Sequence, residues 1–413
     1  LERLADGDST APLAVLHLDL RGFRAINARH GRETGDRVLG YVAETLRSLS
    51  MAGEIVARMD ADAFVLASPR RTHPAQLEEL AVEIMRTLER PVTIAGVALS
   101  LDAIIGIAAR AGEAEPVETL LLHAEIACGR ATKEGGSVYF SAEMEARLTA
   151  RHRTAQELLR ALMRDEIEPY FQPQIDVASG RVIGVEALAR WRHPDGSVLS
   201  PHFFMEAAAD ARLSQRITSV MIAKSLAALA AWRRAGFAVP KVSLNIPVEE
   251  LRDPGFHDRL LFDLDRVALA PGDLCLEILE SALIDSDTDP VLDHVAALSR
   301  GGFGIDLDDF GTGHASLSNL QRLAVDRIKI DRSFVREVHL RPELRKMTHA
   351  MIELARTLGI TALAEGIETD EERRHLVDLG CQQLQGFAIA RPMPADALPA
   401  WLRRRNGRTT AAA

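Results

Sequence analysis

Acidic, amide and lysine side chains stand near the ends of strand-like runs that are spread over about 180 positions of the chain. The residues that share this placement are Glu186, Asn245, Glu277, Asp308, Asp309, Lys329 and Glu365. If one barrel brings these strand ends together, five carboxylates occupy one small volume. Two carboxylates about 4 Å apart repel by roughly 4 kcal/mol at an effective dielectric constant near 20. Such a cluster persists when cations neutralise it or when some members stay protonated, and cation binding is the simpler interpretation.

From Pro169 onward, strand-like runs alternate with amphipathic helical stretches. Strands are predicted at 182–188, 241–246, 274–280, 303–309, 325–331, 361–365 and 383–389, with helices at 217–235, 289–299, 344–358 and 370–379. Seven or eight such units predict a TIM-type (β/α)8-like barrel, in which chemistry lies at the C-terminal strand ends. Strand alternation supports this, because Ser243 and Asn245 share one face, as do Asp306 and Asp308.

The first part of the chain predicts a separate α/β sheet domain. LAVLHLDL, EIVARM and AFVLAS read as strands, and GDRVLGYVAETLRSL has helical spacing. We place this domain at 1–145, a helical connector at 146–165 and the barrel at 166–404. The connector is predicted because the stretch 142–165 contains neither Pro nor Gly. The tail 405–413 lacks apolar periodicity and is predicted to be disordered.

Composition narrows the possible classes of function. The net charge of −10 argues against a nucleic-acid binder, because phosphate neutralisation needs clustered Lys and Arg. Three cysteines without a CxxC suit a reducing compartment, so we expect a cytoplasmic location. No apolar run reaches the roughly 18–20 residues of a membrane span, so we expect no membrane contact from this chain. Because it begins with Leu1, we interpret it as a fragment whose parent protein can carry a membrane anchor in missing N-terminal segments.

Residues 169–404 resemble the EAL domain family. The matching segments run in order as PYFQPQID, GVEALARWRHP, VSLNIP, LEILES, DDFGTGHASLSNL, DRIKIDRSFV, AEGIET and QLQGFAIARPMP. The resemblance covers essentially the whole second domain. It implies metal-dependent hydrolysis of the bacterial second messenger cyclic di-GMP to linear pGpG.

The resemblance further implies two divalent cations within the acidic cluster. The ligands that it assigns are Glu186, Asn245, Glu277, Asp308 and Asp309. Asp308 would bridge the two ions, and Lys329 and Glu365 would reach the second ion through waters. Oxygen ligands without thiolates suit Mg²⁺ or Mn²⁺. Two such ions, about 3.5–4 Å apart, lower the pKa of a water and stabilise charge during an in-line displacement.

Catalytic and substrate-binding roles follow from the same resemblance. Lys329 would orient the attacking water and Glu365 would accept its proton, with Glu186 essential as a ligand. Substrate contacts are implied for Gln172, Arg190 and Gln385. From the residues alone, Arg190 is alternatively a salt-bridge partner of a barrel acid. Lys329 would be costly to bury unpaired, which favours a role in the site.

A glutamate and a loop next to the cluster have a supporting role by the same resemblance. Glu280 lies three residues beyond Glu277, so strand alternation turns it away from the ligand face. It would anchor the DFGTG loop, to which Gly311 and Gly313 give conformational freedom. We hypothesise that this loop couples dimer contacts to metal occupancy.

The sequence departs from the family pattern without removing a ligand. Leu279 replaces a threonine between two of the acids, and Pro247 follows Asn245 closely. His314 and Ala315 replace the more usual Tyr and Ser of the loop. Leu279 and Pro247 are expected to alter hydrogen bonding around the ligands and therefore the rate.

The first domain resembles a degenerate GGDEF domain, the fold of diguanylate cyclases. LDLRGFRAINARHGRETGD and IIGIA match the family, but the signature reads DADAF at 60–64. The substitutions that argue against cyclisation are Asp60 and Ala61 for two glycines, Ala63 for an acid and Thr132 for a phosphate-contacting lysine. Met51 and Glu54 stand where the RxxD inhibitory site would lie. A residual nucleotide site is implied at Asp19 and Asp62 for metal and at Asn27 and Asp36 for guanine.

The sequence is compatible with three functions for the whole chain. The leading one is a cyclic di-GMP phosphodiesterase with an inactive cyclase-like domain, which serves in dimerisation or signal relay or alternatively binds GTP. The second is a cyclic di-GMP receptor that binds without turnover. The third, a signalling scaffold, leaves the acidic cluster unexplained. The resemblance also implies a homodimer.

Overall fold

The chain divides into two units, Leu1–Ala150 and Arg151–Ala413, in a computed structural model. The structure describes residues 11–110, 115–283, 290–312 and 325–409, with only the backbone described for residue 283 and for 406–409. The division falls within one long helix, which the sequence predicts as the connector. The expected boundaries at 145 and 166 bracket this division.

A five-stranded sheet forms the centre of the first unit. The described strands of this unit, of which five form the central sheet, are β1 Leu13–Arg21, β2 Ile55–Arg58, β3 Ala63–Ser68, β4 Val92–Ile94, β5 Val97–Leu99, β6 Asp102–Arg110 and β7 Ser137–Tyr139. The sheet order is β2-β3-β1-β6-β7, and β4 pairs with β5 separately. Strand β1 runs antiparallel to both neighbours, with Leu18 opposite Phe64 and Ile105.

Helices cover both faces of this sheet. They are α1 Phe23–His30, α2 Arg32–Leu49, α3 Pro74–Glu89 and α4 Val117–Glu134. Alternation along β1 sends Leu16 and Leu18 to a core with α2 and α3, and Val15 to a core with α4. The predicted α/β layer fold is confirmed. Helix α5, Ala142–Met163, follows as predicted.

Eight strands close a barrel in the second unit. The strands of this unit are β8 Ile167–Asp176, β9 Val182–Arg192, β10 Val198–Leu199, β11 Val242–Asn245, β12 Leu274–Leu279, β13 Gly304–Phe310, β14 Arg327–Ile330, β15 Thr361–Ala364, β16 Gln383–Leu384 and β17 Met393–Pro394. The barrel order is β9-β11-β12-β13-β14-β15-β16-β8, and β8 pairs with β9 to close it. Strands β9 and β11 to β16 are parallel, whereas β8 runs antiparallel to β9 and β16. The predicted (β/α)8-like barrel is therefore confirmed, with one reversed strand.

Helices surround the barrel. They are α6 Met205–Asp210, α7 Ser214–Arg234, α8 Val248–Leu251, α9 Phe256–Asp265, α10 Val291–Arg300, α11 Arg332–Val335, α12 Pro342–Leu358, α13 Asp370–Asp378 and α14 Leu398–Thr409. Outward-facing strand residues such as Leu244, Leu276 and Ile278 pack into the core that the helices cover. Each such buried side chain contributes about 1.5–3 kcal/mol relative to exposure. The opposite strand face, which carries the polar residues, is left to line the barrel interior.

Two predicted elements differ from the structure. The strand predicted at 383–389 ends at Leu384, because Ile389 and Ala390 donate backbone hydrogen bonds to the Gly386 carbonyl and form a turn. The tail predicted to be disordered from 405 continues helix α14 to Thr409. The Arg405 side chain donates to the Gly180 carbonyl at 2.9 Å, which attaches this end of the helix to the barrel. Residues 410–413 lie outside the described residues.

Candidate active site

Lys329 lies at the centre of the acidic cluster that the sequence predicts. Its side chain is fully buried, and its Nζ lies 2.8 Å from Glu277 Oε2, 3.0 Å from Asp308 Oδ1 and 2.7 Å from Glu365 Oε1. Glu186 Oε1 is 3.8 Å away. These residues lie on four different strands, or, for Glu365, directly after a fifth strand, so the barrel does bring together side chains that are far apart in sequence.

Strand register explains this convergence. Asn245 at the end of β11 is the register partner of Glu277 on β12. Asp308 on β13 is the register partner of Leu279, which follows Glu277 by two residues on β12. Since these strands are parallel, their C-terminal ends share one edge of the barrel, as the sequence predicts. Asn245 Nδ2 donates to Glu186 Oε1 at 2.9 Å and to Glu277 Oε2 at 3.3 Å, which joins three adjacent strands.

Asp309 is held beside Asp308 by an unusual backbone conformation. Its φ angle is +54°, in the left-handed region, and the β13–β14 register shifts between Leu307 and Phe310. Such a conformation costs of order 1–3 kcal/mol in a non-glycine residue. It breaks the strict alternation of β13, so that two consecutive carboxylates lie at one strand end. Burial, Asp308 and Asp331 raise the pKa of Asp309 to about 6.

Repulsion and burial perturb the other acids strongly. Burial and the charge of Glu186 raise the pKa of Glu277 well above its usual range. Burial raises the pKa of Glu365 to about 8, with Asp308 adding to the shift and Lys329 opposing it. Burial also disfavours the charge of Lys329, but the surrounding acids outweigh burial and raise its pKa well above the usual value. One lysine therefore does not neutralise the cluster.

The donor set suits a hard divalent cation. All the candidate ligands offer oxygen, and Glu277 Oε1 is buried without a hydrogen-bond partner among the described residues. Yet no three acidic, histidine or cysteine side chains in the described ranges are already arranged as a cation cage. Lys329 occupies the space between the carboxylates, and Asn245 presents its amide nitrogen to them. Cation binding therefore requires the Lys329 side chain to move away from the carboxylates. It also requires the Asn245 amide to rotate so that its oxygen faces the cation.

Amide side chains connect the cluster to strand β8, which pairs with β9 and places Gln172 opposite Glu186. Gln385 Nε2 donates to Gln172 Oε1 at 3.1 Å and also to Glu186 Oε2. Lys329 and the hydrogen bond from Gln385 outweigh the burial that opposes ionisation and lower the pKa of Glu186. Gln172 in turn donates to the Ala390 carbonyl at 2.9 Å. Two of the three expected substrate contacts thus lie against Glu186.

Arg190, the third expected substrate contact, lies on strand β9, as does Glu186. Its guanidinium lies over the Tyr170 ring at 5.9 Å and donates to the Ala189 carbonyl at 2.8 Å. Burial lowers the pKa of Arg190, while Glu186 opposes that shift. A half-buried guanidinium near the acidic cluster offers donors in the geometry that a phosphate accepts.

Glu280 holds the start of the loop that follows β13. Its carboxylate is buried, and Oε2 accepts a hydrogen bond from the Gly311 backbone N–H at 2.8 Å. Gly311 has φ +99°, and a Cβ there would approach Met351 and lie 2.9 Å from Phe334 Cε2. This geometry agrees with the loop-anchoring role expected of Glu280. Of the expected departures from the family pattern, His314 and Ala315 lie outside the described residues, as does Gly313.

The two departures that the structure describes lie beside the cluster. Leu279 is 44% exposed at the end of β12, so a hydrophobic side chain stands at the barrel opening. Pro247 precedes helix α8 with φ −63°, which suits its position directly before the first turn. Neither residue displaces a candidate ligand.

Comparison with known proteins decides the family. The family model of the EAL domain matches residues 155–392 of the 413. The chain belongs to the EAL domain family. The family model of the GGDEF domain, described as diguanylate cyclase, matches residues 2–137.

Several relatives align with nearly the whole chain. The bifunctional diguanylate cyclase/cyclic di-GMP phosphodiesterase MucR of Pseudomonas aeruginosa is 34% identical over 388 residues, which are 93% of this chain and 56% of MucR. The cyclic di-GMP phosphodiesterase PdeR of Escherichia coli is 32% identical over 396 residues, 95% of this chain and 59% of PdeR. The chain thus spans little more than half the length of these curated relatives. The solved complex of the PaMucR phosphodiesterase with c-di-GMP is 35% identical, with a TM-score of 0.57, and covers 60% of this chain and 99% of its own.

No helix in the described ranges is both long and apolar enough to cross a membrane.

Inside the barrel of the EAL unit, Gln174 and Arg327 are buried polar residues that the sequence does not single out. Gln174 Nε2 donates to Gln385 Oε1 at 2.8 Å and so orients the amide that contacts Glu186. Arg327 lies inside the barrel, two residues before Lys329. The signal for both was strand alternation, since Gln174 follows Gln172 by two positions and Arg327 precedes Lys329 by two.

The residues expected to bind nucleotide in the GGDEF unit stay a prediction. Burial and, after it, the charge of Asp62 raise the pKa of Asp19. Asn27 on α1 lies against Gly35 of α2, directly before Asp36. At the former signature, Arg58 donates to the Ala61 carbonyl at 2.7 Å.

At the positions where an RxxD inhibitory site would lie, the sequence predicts that the site is absent, and Glu54 makes internal contacts there. Glu54 accepts hydrogen bonds from Ser68 Oγ and the Met51 backbone N–H, both at 2.7 Å. Arg71 Nε lies 3.4 Å from the same carboxylate. The carboxylate is therefore used within the domain to fix a turn.

Proposed function

We propose that the EAL unit hydrolyses cyclic di-GMP to linear pGpG with the help of two divalent cations, Mg²⁺ or Mn²⁺. The observation that carries the proposal is the convergence of four carboxylates, those of Glu186, Glu277, Asp308 and Glu365, on Lys329 inside the barrel, with Asp309 next to Asp308 in the chain. The 35% identity to a phosphodiesterase solved with c-di-GMP supports the choice of substrate. EAL phosphodiesterases are in general metal-dependent, which agrees with the excess negative charge of this cluster.

The ligand roles follow from donor chemistry. Glu186, Asn245, Glu277, Asp308 and Asp309 would hold the cations. The bound cations would polarise the phosphate and favour ionisation of the attacking water. Because burial and mutual repulsion raise the pKa values of Glu277 and Asp309, the acids bind protons or cations more strongly than isolated carboxylates do.

Lys329 would orient the attacking water, and Glu365 would accept its proton. The Lys329 ammonium carries no acceptor, so it can donate to a water while it holds Glu365 at 2.7 Å. The water oxygen forms a bond to phosphorus, the bond to the bridging ribose oxygen breaks, and the water proton passes to the Glu365 carboxylate. Burial raises the pKa of Glu365 to about 8, so its ionised carboxylate is a stronger base than that of an ordinary glutamate. The leaving oxygen takes a proton from solvent.

The two glutamine side chains beside Glu186, together with Arg190, would bind the substrate. Gln172 and Gln385 lie against Glu186, and Arg190 offers a guanidinium to a phosphate oxygen. An arginine that is half-buried loses less energy to solvent competition than an exposed one.

We further propose that the GGDEF unit does not form cyclic di-GMP. The signature DADAF carries Asp60 and Ala61 in place of glycines and Ala63 in place of an acid. A role in dimerisation or signal relay is favoured over GTP binding, although the sequence retains Asp19 and Asp62. A homodimer is tested by light scattering of the purified chain with and without cyclic di-GMP.

A receptor that binds cyclic di-GMP without turnover is the second candidate. It is favoured by the position of Lys329, which fills the space between the acids. The deciding experiment incubates the chain with cyclic di-GMP and Mg²⁺ or Mn²⁺ and separates products by chromatography, beside Glu186→Ala. Formation of pGpG by the wild type alone supports the hydrolase. Tight binding without pGpG from either protein supports the receptor and refutes the hydrolase.

A further inference from the structure

A second buried charged layer lies beneath the acidic cluster. Arg327 precedes Lys329 by two positions on β14, and Asp306 precedes Asp308 by two on β13. Both side chains therefore point into the barrel one layer below the catalytic layer. Arg327 is 2% exposed and Asp306 is 0% exposed. Neither has a role in the hydrolysis described above.

The two residues form a hydrogen-bonded ion pair inside the barrel. Arg327 Nε donates to Asp306 Oδ2 at 2.8 Å, and Nη2 donates to the same oxygen. Arg327 Nη1 donates to Gln383 Oε1 at 3.0 Å, and Nη2 lies 3.5 Å from Ser243 Oγ. The guanidinium is thus tied to three other strands, and its planar geometry fixes their spacing.

The position of Asp306 makes its neutralisation necessary. Asp306 is the register partner of Glu277 on the adjacent strand, and Glu277 already shares its surroundings with Glu186 and Asp308. A further uncompensated carboxylate at this depth would add repulsion where little water can screen it. Arg327 cancels that charge, so the layer as a whole is neutral.

We propose that Arg327 and Asp306 neutralise each other beneath the acidic cluster, so that neither buried charge alters the affinity of the cluster for divalent cations. The pair is neutral and adds neither attraction nor repulsion for the cations. Loss of Asp306 alone leaves an arginine cation beneath the site, which opposes a divalent cation. Loss of both residues restores neutrality. This inference rests on the proposed function, because it assumes that the cluster binds cations.

The test measures Mn²⁺ binding by calorimetry for the wild type, Asp306→Asn, Arg327→Met and the double variant. We expect Asp306→Asn to weaken Mn²⁺ binding by about tenfold or more. Adding Arg327→Met to Asp306→Asn should bring the affinity back to within about threefold of the wild type. A packing role alone predicts no recovery, since the double variant has lost both side chains. A double variant that binds as weakly as Asp306→Asn overturns the proposal.

Glu250→Gln is the matched control. Glu250 is also buried and pairs with an arginine, Arg259, at 2.7 Å, but it lies on helix α8 and not inside the barrel. This variant should lose stability without changing Mn²⁺ affinity. If Asp306→Asn does not fold, Arg327→Lys replaces it, because lysine keeps the charge and loses the planar geometry. Retained Mn²⁺ affinity in Arg327→Lys supports the proposal, and a tenfold loss overturns it.

Mn²⁺ binding tests the inference about Arg327, whereas pGpG formation tests the proposed function. A wild type that binds Mn²⁺ but forms no pGpG refutes the hydrolase and still permits the charge test. Unchanged Mn²⁺ affinity across the pair variants refutes the role of Arg327 and leaves the hydrolase intact. A wild type that binds no Mn²⁺ refutes both.

Discussion

Lys329 Nζ lies 2.7 Å from Glu365 Oε1, and the lysine is fully buried while the glutamate keeps some exposure. The pair joins the interior of the cluster to its opening. A charged group that is buried and surrounded by acids is held in place by them, so its orientation is determined by the barrel. This is the arrangement that positioning of a water requires.

Replacement of Lys329 with methionine is expected to lower kcat for pGpG formation by about 10²–10⁴-fold, in the range of lost acid–base or orienting groups. Methionine keeps much of the side-chain volume and removes the donor. The measurement is single-turnover hydrolysis of cyclic di-GMP at saturating Mn²⁺. Full activity in Lys329→Met would show that the lysine serves only to neutralise the acids.

Lys224→Met is the control for that experiment. Lys224 also carries an ammonium group that pairs with an acid, Asp165, at 2.8 Å, and it donates to the Ile167 carbonyl at 2.7 Å. It lies on helix α7, outside the cluster. Its replacement should change kcat by no more than about twofold, as expected of a partly exposed ion pair.

Glu277→Gln is expected to stabilise the cation-free protein while it weakens cation binding. Burial and repulsion from Glu186 raise the pKa of Glu277, so an ionised carboxylate is unfavourable there without a cation. The neutral amide should raise Tm in EDTA by about 2–4 °C per kcal/mol gained. Mn²⁺ should raise the Tm of the wild type and not that of the variant. A variant less stable than wild type in EDTA would contradict the idea that repulsion dominates at Glu277.

The convergence of the acids was predictable because it depends on alternation and strand direction. Once β11, β12 and β13 are parallel neighbours, Asn245, Glu277 and Asp308 must share one end of the barrel. The position of Asp309 was predictable only as a neighbour of Asp308. Its positive φ and the register shift depend on packing against β14, which the sequence does not encode locally.

Two further features that the sequence does not predict, the position of Gln385 and the partner of Arg327, have the same physical origin. Gln385 lies on a turn and not on the predicted strand, because Gly386 packs against the Ile367 backbone and leaves no space for a Cβ. The pairing of Arg327 with Asp306 joins residues 21 positions apart through strand register. Periodicity assigns a residue to a face, but the partner across that face depends on tertiary structure.

Gly311→Ala is expected to destabilise the EAL unit by about 1–3 kcal/mol and to lower hydrolysis as well. The residue has φ +99°, and a Cβ would meet Met351 and Phe334. Its N–H also binds Glu280, so displacement of the backbone disturbs the strand end that carries Asp308. Urea denaturation followed by tryptophan fluorescence measures the stability, and pGpG formation by the folded protein measures the second effect.

Gly359→Ala separates backbone strain from steric contact. Gly359 has φ +73° at the end of helix α12, and an added Cβ meets nothing within 4 Å. Its cost should be limited to about 1–2 kcal/mol from the left-handed conformation, with hydrolysis unchanged. Equal losses of hydrolysis in the two variants would mean that general destabilisation, and not the Glu280 contact, explains the effect at Gly311.

The GGDEF unit is expected to form no cyclic di-GMP from GTP and Mn²⁺, even when Glu186→Ala prevents hydrolysis of any product. The physical reason lies at the signature, where Asp60 adds a charged side chain and Ala63 lacks a carboxylate. Chromatography after prolonged incubation checks this outcome, and detection of cyclic di-GMP would contradict it. Calorimetry at millimolar GTP then tests whether Asp19 and Asp62, whose proximity raises the pKa of Asp19 beyond the effect of burial, still bind a metal–nucleotide complex. Heat release in the wild type that Asp62→Asn abolishes would establish GTP binding, whereas no heat in either protein would leave the unit as a dimerisation or relay module.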